Sequence, residues 1–324
     1  MKKIFDKVIL NQWFYFATWG ISNGVKKMKV SIITDLEGSC GVYGRSDGIG
    51  NQILNLETAG KALVNEVNAV CDGLVASGVD EIVVLDGHGA GNSIDIFKLH
   101  PAAQLMQFGF LGPIAFLDAS YDALILLGHH AMQNSDGYLC HTYNSHGYSE
   151  LRMNGKLIGE IGITSLLGAY FKVPTILVSG DDVACREARD FLGDKVELVP
   201  TKASINRYSA INYPPRQVYD HLTEATKRAM AYLSEIPIPE IPEEVELTLQ
   251  LMCPNQTWNF AIAGNERIDE RTMRFTGNDF LDLWAQCNGY APGAHKQTYG
   301  TSPDWILPHP LAKDAFTRFA AKYD

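Results

Sequence analysis

Four short, almost uninterrupted apolar runs, at residues 30–34, 81–85, 123–127 and 175–179, constrain this chain more than any other feature. Each is rich in Val, Ile or Leu, and each leads into Gly, Asp or His. A strand with one wet face alternates apolar and polar residues. A run without that alternation is buried on both faces, as in a parallel sheet covered by helices. Parallel strands need crossovers, and residues 56–77 supply one: Ala59, Leu63, Val67, Val70 and Leu74 recur at helical spacing, and Gly78 stands at the C-terminal stop. The expected fold is therefore α/β, a mostly parallel sheet with flanking helices and right-handed connections.

Further along, residues 141–153 and 156–158 flank Asn154-Gly155, a two-residue hairpin signal. Residues 160–171 read as a helix that leads through Val173-Pro174 into the fourth run. Asp181 and Asp182 follow that run and can cap a helix at 183–192. Pro214-Pro215 opens another helix through 233, and the Pro-Ile-Pro-Glu-Ile-Pro run at 237–242 is a stiff linker. Residues 246–251 alternate like a strand, and 278–287 look helical. These readings divide the chain into an extension at 1–27 outside the fold, an α/β domain at 28–200, a smaller α+β part at 201–294 and a tail at 295–324. The extension carries Lys2, Lys3 and Lys7 before an aromatic stretch at 13–21. That stretch is too short to span a bilayer and has no small-residue cleavage site after it, so it reads as an appendage.

The 324 residues carry a net charge of −10, which leaves no basic excess to neutralise nucleic-acid phosphate or an anionic membrane. Neither is expected as a partner. Six scattered cysteines without a C-x-x-C pair suggest neither a thiolate zinc site nor a disulfide framework, and they fit the reducing cytoplasm.

The chemistry lies at the ends of the runs. The first ends Thr34-Asp35-Leu36-Glu37-Gly38, the second Asp86-Gly87-His88-Gly89 and the third Gly128-His129-His130-Ala131. In open α/β sheets ligands bind beyond the carboxyl ends of the strands. Asp35 and Glu37 are two apart, so on an extended backbone they share a face. Carboxylates held together away from water repel unless a cation neutralises them, and imidazoles beside them shift the choice towards zinc or a similar metal. With Glu160, three carboxylates and two histidines exceed the needs of one tetrahedral zinc and suit two metals sharing a carboxylate.

Each residue also has a plainer reading. An Asp at a strand end forms turns, Glu160 near a helix start complements the dipole, and His129-His130 is ambiguous by one residue. Two other motifs compete. The stretch Gly87-His88-Gly89-Ala90-Gly91-Asn92 resembles a dinucleotide fingerprint but has Asn92 where the third glycine belongs. Cys140-His141 suggests a thiol nucleophile, yet sequence neighbours rarely face each other, so Cys140 reads as packing.

The ordered series Asp35-Leu36-Glu37-Gly38, Asp86-Gly87-His88-Gly89, Gly128-His129-His130-Ala131, His141-Thr142-Tyr143, Asn154-Gly155 with Gly159-Glu160, and Gly180-Asp181-Asp182 resembles the D-aminopeptidase family of dinuclear zinc peptidases, peptidase family M55. The likeness runs across residues 28–290. It implies two Zn2+ ions bridged by Asp35, with Glu37, His88, His130 and Glu160 completing their shells and His141 as the catalytic residue. His129 stands where that family accepts various aromatic residues, which favours His130 as the ligand. Gly87 and Cys140 depart from a serine common at their positions. The resemblance further implies release of N-terminal residues such as D-alanine from short peptides, by a homo-oligomer. Asp86, Asp181 and Asp182 are candidates either to orient histidine rings or to cap and turn. Three rivals stand beside this reading. A dinuclear centre could act on L-aminoacyl peptides, other amides or phosphate esters, the last calling for Arg or Lys near the motifs, where only Arg45 occurs; a binding protein would keep the metal site without turnover; and a Rossmann-type nucleotide binder is the weakest.

Overall fold

The computed structural model describes residues 27–46, 52–89, 91–107, 117–257, 260, 265–290 and 292–293. The expected tail, and all of the expected extension but residue 27, lie outside the described residues. The strands are β1 (Lys29–Thr34), β2 (Gly44–Ser46), β3 (Gln52–Leu54), β4 (Glu81–Asp86), β5 (Ala103–Gln107), β6 (Ala123–His129), β7 (Tyr148–Met153), β8 (Lys156–Leu157), β9 (Thr175–Asp181), β10 (Glu197–Asn206), β11 (Ser209–Asn212), β12 (Val245–Leu251), β13 (Glu266–Arg267) and β14 (Thr272–Gly277). The helices that build the layers are α1 (Leu56–Ala76), α2 (Glu160–Tyr170), α3 (Asp182–Leu192), α4 (Pro215–Ala231) and α5 (Phe280–Cys287).

A seven-stranded sheet in the order β11-β10-β9-β6-β1-β4-β5 forms the centre, parallel except for β11. The four apolar runs are its inner strands β9, β6, β1 and β4. Val30 and Ile32 of β1 pack with Val84, Ile125 and Leu127 against Leu63, Val67 and Leu74 of α1 and Leu222 and Ala225 of α4. Ile33, Leu124, Leu126 and Val178 face the opposite layer with Ile161 and Leu166 of α2 and Ala188 of α3. A strand filled from both sides cannot alternate, which explains the uninterrupted runs. Asn55 caps α1 by accepting from the Thr58 N–H at 3.2 Å, and Gly78 leaves the helix at φ 80°.

A second, antiparallel sheet in the order β13-β14-β12-β7-β8 joins that opposite layer through Leu247, Leu249, Met273 and Phe275, with Trp284 of α5. Its hairpin turns at Asn154 and Gly155, both at positive φ (48° and 79°), the conformation an Asn-Gly turn requires. The two sheets interleave along the chain. Strands β7 and β8 precede residue 200, whereas most of β10, all of β11 and α4 follow it and belong with the large sheet, so a division at 200 does not separate the layers. Among the described residues no helix is long and apolar enough to cross a membrane.

Candidate metal centre

Strands β6, β1 and β4 are adjacent and parallel, so their carboxyl ends lie side by side. Thr34 is in register with Asp86 on one side and Leu127 on the other. The chain leaves β1 in a tight turn in which the Asp35 N–H donates to the Leu127 carbonyl and the Gly38 N–H to the Gly128 carbonyl, each at 2.8 Å. A Cβ on Gly38 would overlap the His129 carbonyl, so only glycine lets the two strand ends meet this closely. Helix α2 begins at Glu160, directed at the same point from the opposite layer.

All six residues expected at the site converge there. The His88 Nδ1 atom lies 3.0 Å from Asp35 Oδ1 and 3.0 Å from Glu37 Oε2. The His130 Nε2 atom lies 3.2 Å from Asp35 Oδ2 and 3.3 Å from Glu160 Oε1. His141 stacks on His130 with ring centroids 3.8 Å apart, and its Nε2 is 3.9 Å from Glu160 Oε1 and 4.0 Å from Glu37 Oε1. Asp35 and Glu37 do share a side, although the residues joining them are a turn rather than an extension of β1.

Backbone groups set the histidine tautomers. The Nδ1–H of His130 donates to the Ala131 carbonyl at 2.9 Å, and the Nδ1–H of His141 donates to the Leu139 carbonyl at 2.9 Å. In each neutral ring the lone pair is then on Nε2, which faces the carboxylates. Glu160 is fixed by the Tyr143 N–H, which donates to Oε1 at 2.6 Å. Asp86, Asp181 and Asp182 hold no histidine ring. Asp86 accepts from the Ser93 and Ile94 N–H groups and Asp181 caps α3 at Val183, as the turn and capping readings have it, whereas Asp182 accepts from the Ser204 N–H and ties α3 to β10.

The donor set fits a cation. Asp35 Oδ2, Glu37 Oε2 and His130 Nε2 are buried with no aligned hydrogen-bond partner, although each lies within about 3.3 Å of another donor atom of the cluster. Three donor groups have ligand atoms within 4.8 Å of one another: Asp35, Glu37 and His88; Asp35, His130 and Glu160; and Glu37, His130 and His141. Burial opposes charge on His88, but Glu37 and Asp35 outweigh it and push the imidazole up to about 11. Burial likewise opposes charge on His130, and Glu160 and Asp35 again prevail. Burial would raise Asp35, yet His130 and His88 hold its carboxyl well below the usual range.

His129 faces the cavity beside this cluster but belongs to none of the three donor groups. Burial holds its imidazole below the usual value, in the neutral form. The cavity measures about 390 Å³, with Ile33, Leu85, Tyr143 and Thr164 among its walls, and no lysine or arginine among the described residues lines it. The Gly-rich stretch after β4 leads only to a one-turn helix at Ile96–Lys98, not to the long helix that a dinucleotide site needs. Cys140 is buried with its Sγ donating to the Ser135 carbonyl at 3.2 Å, a packing role. The sequence motifs do not include the titratable groups around the centre, the buried Glu66 and Lys202 and the half-buried Glu187. Only Glu66 left a signal, a carboxylate on the apolar stripe of α1 between Leu63 and Val67.

The model of the family described as D-aminopeptidase, peptidase M55, matches residues 28–288. Over 262 residues the chain is 26% identical to the D-aminopeptidase of Bacillus subtilis (strain 168), covering 79% of this chain and 94% of that protein. Among solved structures it superposes on the Zn-dependent D-aminopeptidase DppA from Bacillus subtilis, described as a self-compartmentalizing protease, with a TM-score of 0.74 and 24% identity, over 85% of this chain and 99% of that one.

Proposed function

The chain belongs to the D-aminopeptidase family, and from that premise we propose that it is a zinc aminopeptidase whose two metal ions share Asp35. One observation carries the count of two: Asp35 is common to the group with Glu37 and His88 and to the group with His130 and Glu160. A carboxylate presenting one oxygen to each group is the arrangement of a bridging ligand. Zinc, when bound, polarises a carbonyl and lowers the pKa of water from about 15.7 to about 7.

The remaining chemistry belongs to side chains. His141 is the catalytic residue in this reading. Its Nδ1–H is committed to the Leu139 carbonyl, so Nε2 is the atom that takes and returns a proton at the cavity. The cluster carboxylates receive the free amine of the substrate, which makes an N-terminus a requirement. The apolar walls at Ile33 and Leu85 suit a small side chain such as that of alanine. Absence of lysine and arginine from the described lining disfavours a phosphate ester. We further infer short peptides as substrates, D-alanine at the N-terminus, assembly as a homo-oligomer and a cytoplasmic setting. The last follows from five buried, unpaired cysteines and an exposed Cys253.

Hydrolysis of paired D-Ala and L-Ala p-nitroanilides by zinc-loaded protein, with a chelator control and a metal count, tests the reading. Chelator-sensitive cleavage of the D form with two zinc ions per chain is the expected result. Cleavage of the L form alone overturns the stereochemical assignment and leaves the mechanism. No cleavage of either by protein holding two zinc ions overturns the activity.

A further inference from the structure

Between β1 and β2 the backbone of residues 37–44 carries Glu37 and then crosses the end of the large sheet. Its polar groups are taken up from outside the loop. The Cys40 N–H donates to Glu66 Oε1 at 2.6 Å, the Gly41 N–H to Asn212 Oδ1 at 2.8 Å and the Gly44 N–H to the Tyr138 hydroxyl at 2.8 Å. The Thr201 hydroxyl donates to the Gly38 carbonyl. The central tie is Lys202, on β10, a lysine with no exposed surface at all. Its ammonium donates to the Glu37 carbonyl at 2.8 Å and the Val42 carbonyl at 3.0 Å, and lies 4.8 Å from the centre of the Tyr138 ring.

A buried ammonium is costly unless its donors are satisfied, and here they are spent on two carbonyls of one loop, closing it into a ring. One of those carbonyls belongs to Glu37 itself, whose carboxylate reaches the donor group with Asp35 and His88. The other tethers hold the loop further along, so Lys202 is the side chain that grips the backbone of Glu37 directly.

We propose that Lys202 is a positioning residue of the metal centre, holding the Glu37 backbone so that its carboxylate stays in the donor group with Asp35 and His88. This rests on the reading of Glu37 as a zinc ligand. Outer partners that orient a ligand typically contribute 10–100-fold in metal affinity, roughly, when removed. In the two-metal reading Glu37 serves the zinc held with Asp35 and His88, so the loss of Lys202 falls first on that one of the two ions.

The test is stepwise zinc affinity, by chelator competition on full-length folded protein, for wild type, Lys202→Met, Asn212→Ala and Glu37→Gln. Methionine keeps an unbranched stem and removes the charge. We expect Lys202→Met to bind its tighter zinc within about threefold of wild type and its weaker zinc about 10–100-fold less well. Excess zinc then restores kcat with KM unchanged. Asn212→Ala, which loosens the same loop at Gly41, leaves both affinities in place. If Lys202→Met lowers Tm but both zinc affinities match wild type, Lys202 serves folding alone and the inference is overturned. It is equally overturned if both affinities fall together. Should the methionine variant not fold, Lys202→Arg keeps the charge, shifts the donors and is judged by the same two affinities. If Glu37→Gln leaves both affinities unchanged, the reading of Glu37 as a ligand fails separately, whatever Lys202 does.

Discussion

At the scale of single residues, the candidate centre is a set of side chains whose roles are assigned by their hydrogen bonds. His130 and His141 are stacked, and each has Nδ1 bound to a carbonyl, yet they differ in reach: His130 Nε2 is about 3.3 Å or less from two carboxylates, while His141 stays about 3.9 Å or more from its nearest ones. His141→Ala is therefore expected to keep both zinc ions, counted by elemental analysis, and to lose about 10²- to 10⁴-fold in kcat. Zinc lost in step with activity would make His141 a ligand in the group with Glu37 and His130. Glu66 supports a pH prediction. Burial pushes its carboxyl from 4.5 up to about 7, so folding favours its protonated form. Its contribution to stability is fully present below about pH 4.5 and is lost as pH rises through about 7. Thermal melts of metal-free protein should show Tm falling across that window, and Glu66→Gln should flatten the fall. An unchanged slope in that variant would exclude Glu66 as its source.

At the scale of elements, the inner strands were legible and the edges were not. β1, β4, β6 and β9 are buried on both faces and announce themselves as apolar runs, whereas β5 lies at the edge and β10 carries Pro200 and Lys202 through its middle. Residues 141–147, expected as the start of the hairpin's first arm, form a loop instead, tied back by the His141 N–H to the Ala131 carbonyl at 3.3 Å. Close packing of strand ends makes a further prediction. Gly38 and Gly180 both abut the His129 carbonyl, so a methyl group at either forces β6 away from its neighbours. Gly180→Ala is expected to cost about 3 kcal/mol in urea denaturation, since overpacking here meets backbone rather than a side chain that can turn aside. A cost under about 1 kcal/mol would show that the strand ends can yield.

For the whole molecule, the proposed metal would couple to the fold through the turn between β1 and β2, the loop after β6 and the start of α2, which supply its donors. Ions that bind the folded chain stabilise it by about 2.7 kcal/mol at a free concentration 100-fold above Kd. Chelation should accordingly lower Tm by roughly 5–10 °C while far-ultraviolet circular dichroism stays the same, because the strands and helices are held by the two apolar layers and not by the donor groups. An unchanged Tm would mean that the metal contributes nothing to the fold.

Residue type and spacing along the chain were enough for the parallel core, the Asn-Gly hairpin, the main helices and the carboxylate and histidine motifs at the strand ends, because each of these depends on neighbours within a few positions, whereas His141 entered the candidate set through the family resemblance. The histidine ambiguity was resolved by tertiary structure, where His130 reaches Asp35 and Glu160 and His129 does not. Tertiary structure also decided the interleaving of the two sheets, the carbonyls that set the imidazole tautomers and the burial of Glu66 and Lys202. These contacts join residues up to 165 positions apart, as from Lys202 to Glu37. A charged side chain looks the same in sequence whether its partner is water or a distant carbonyl; only packing removes the water.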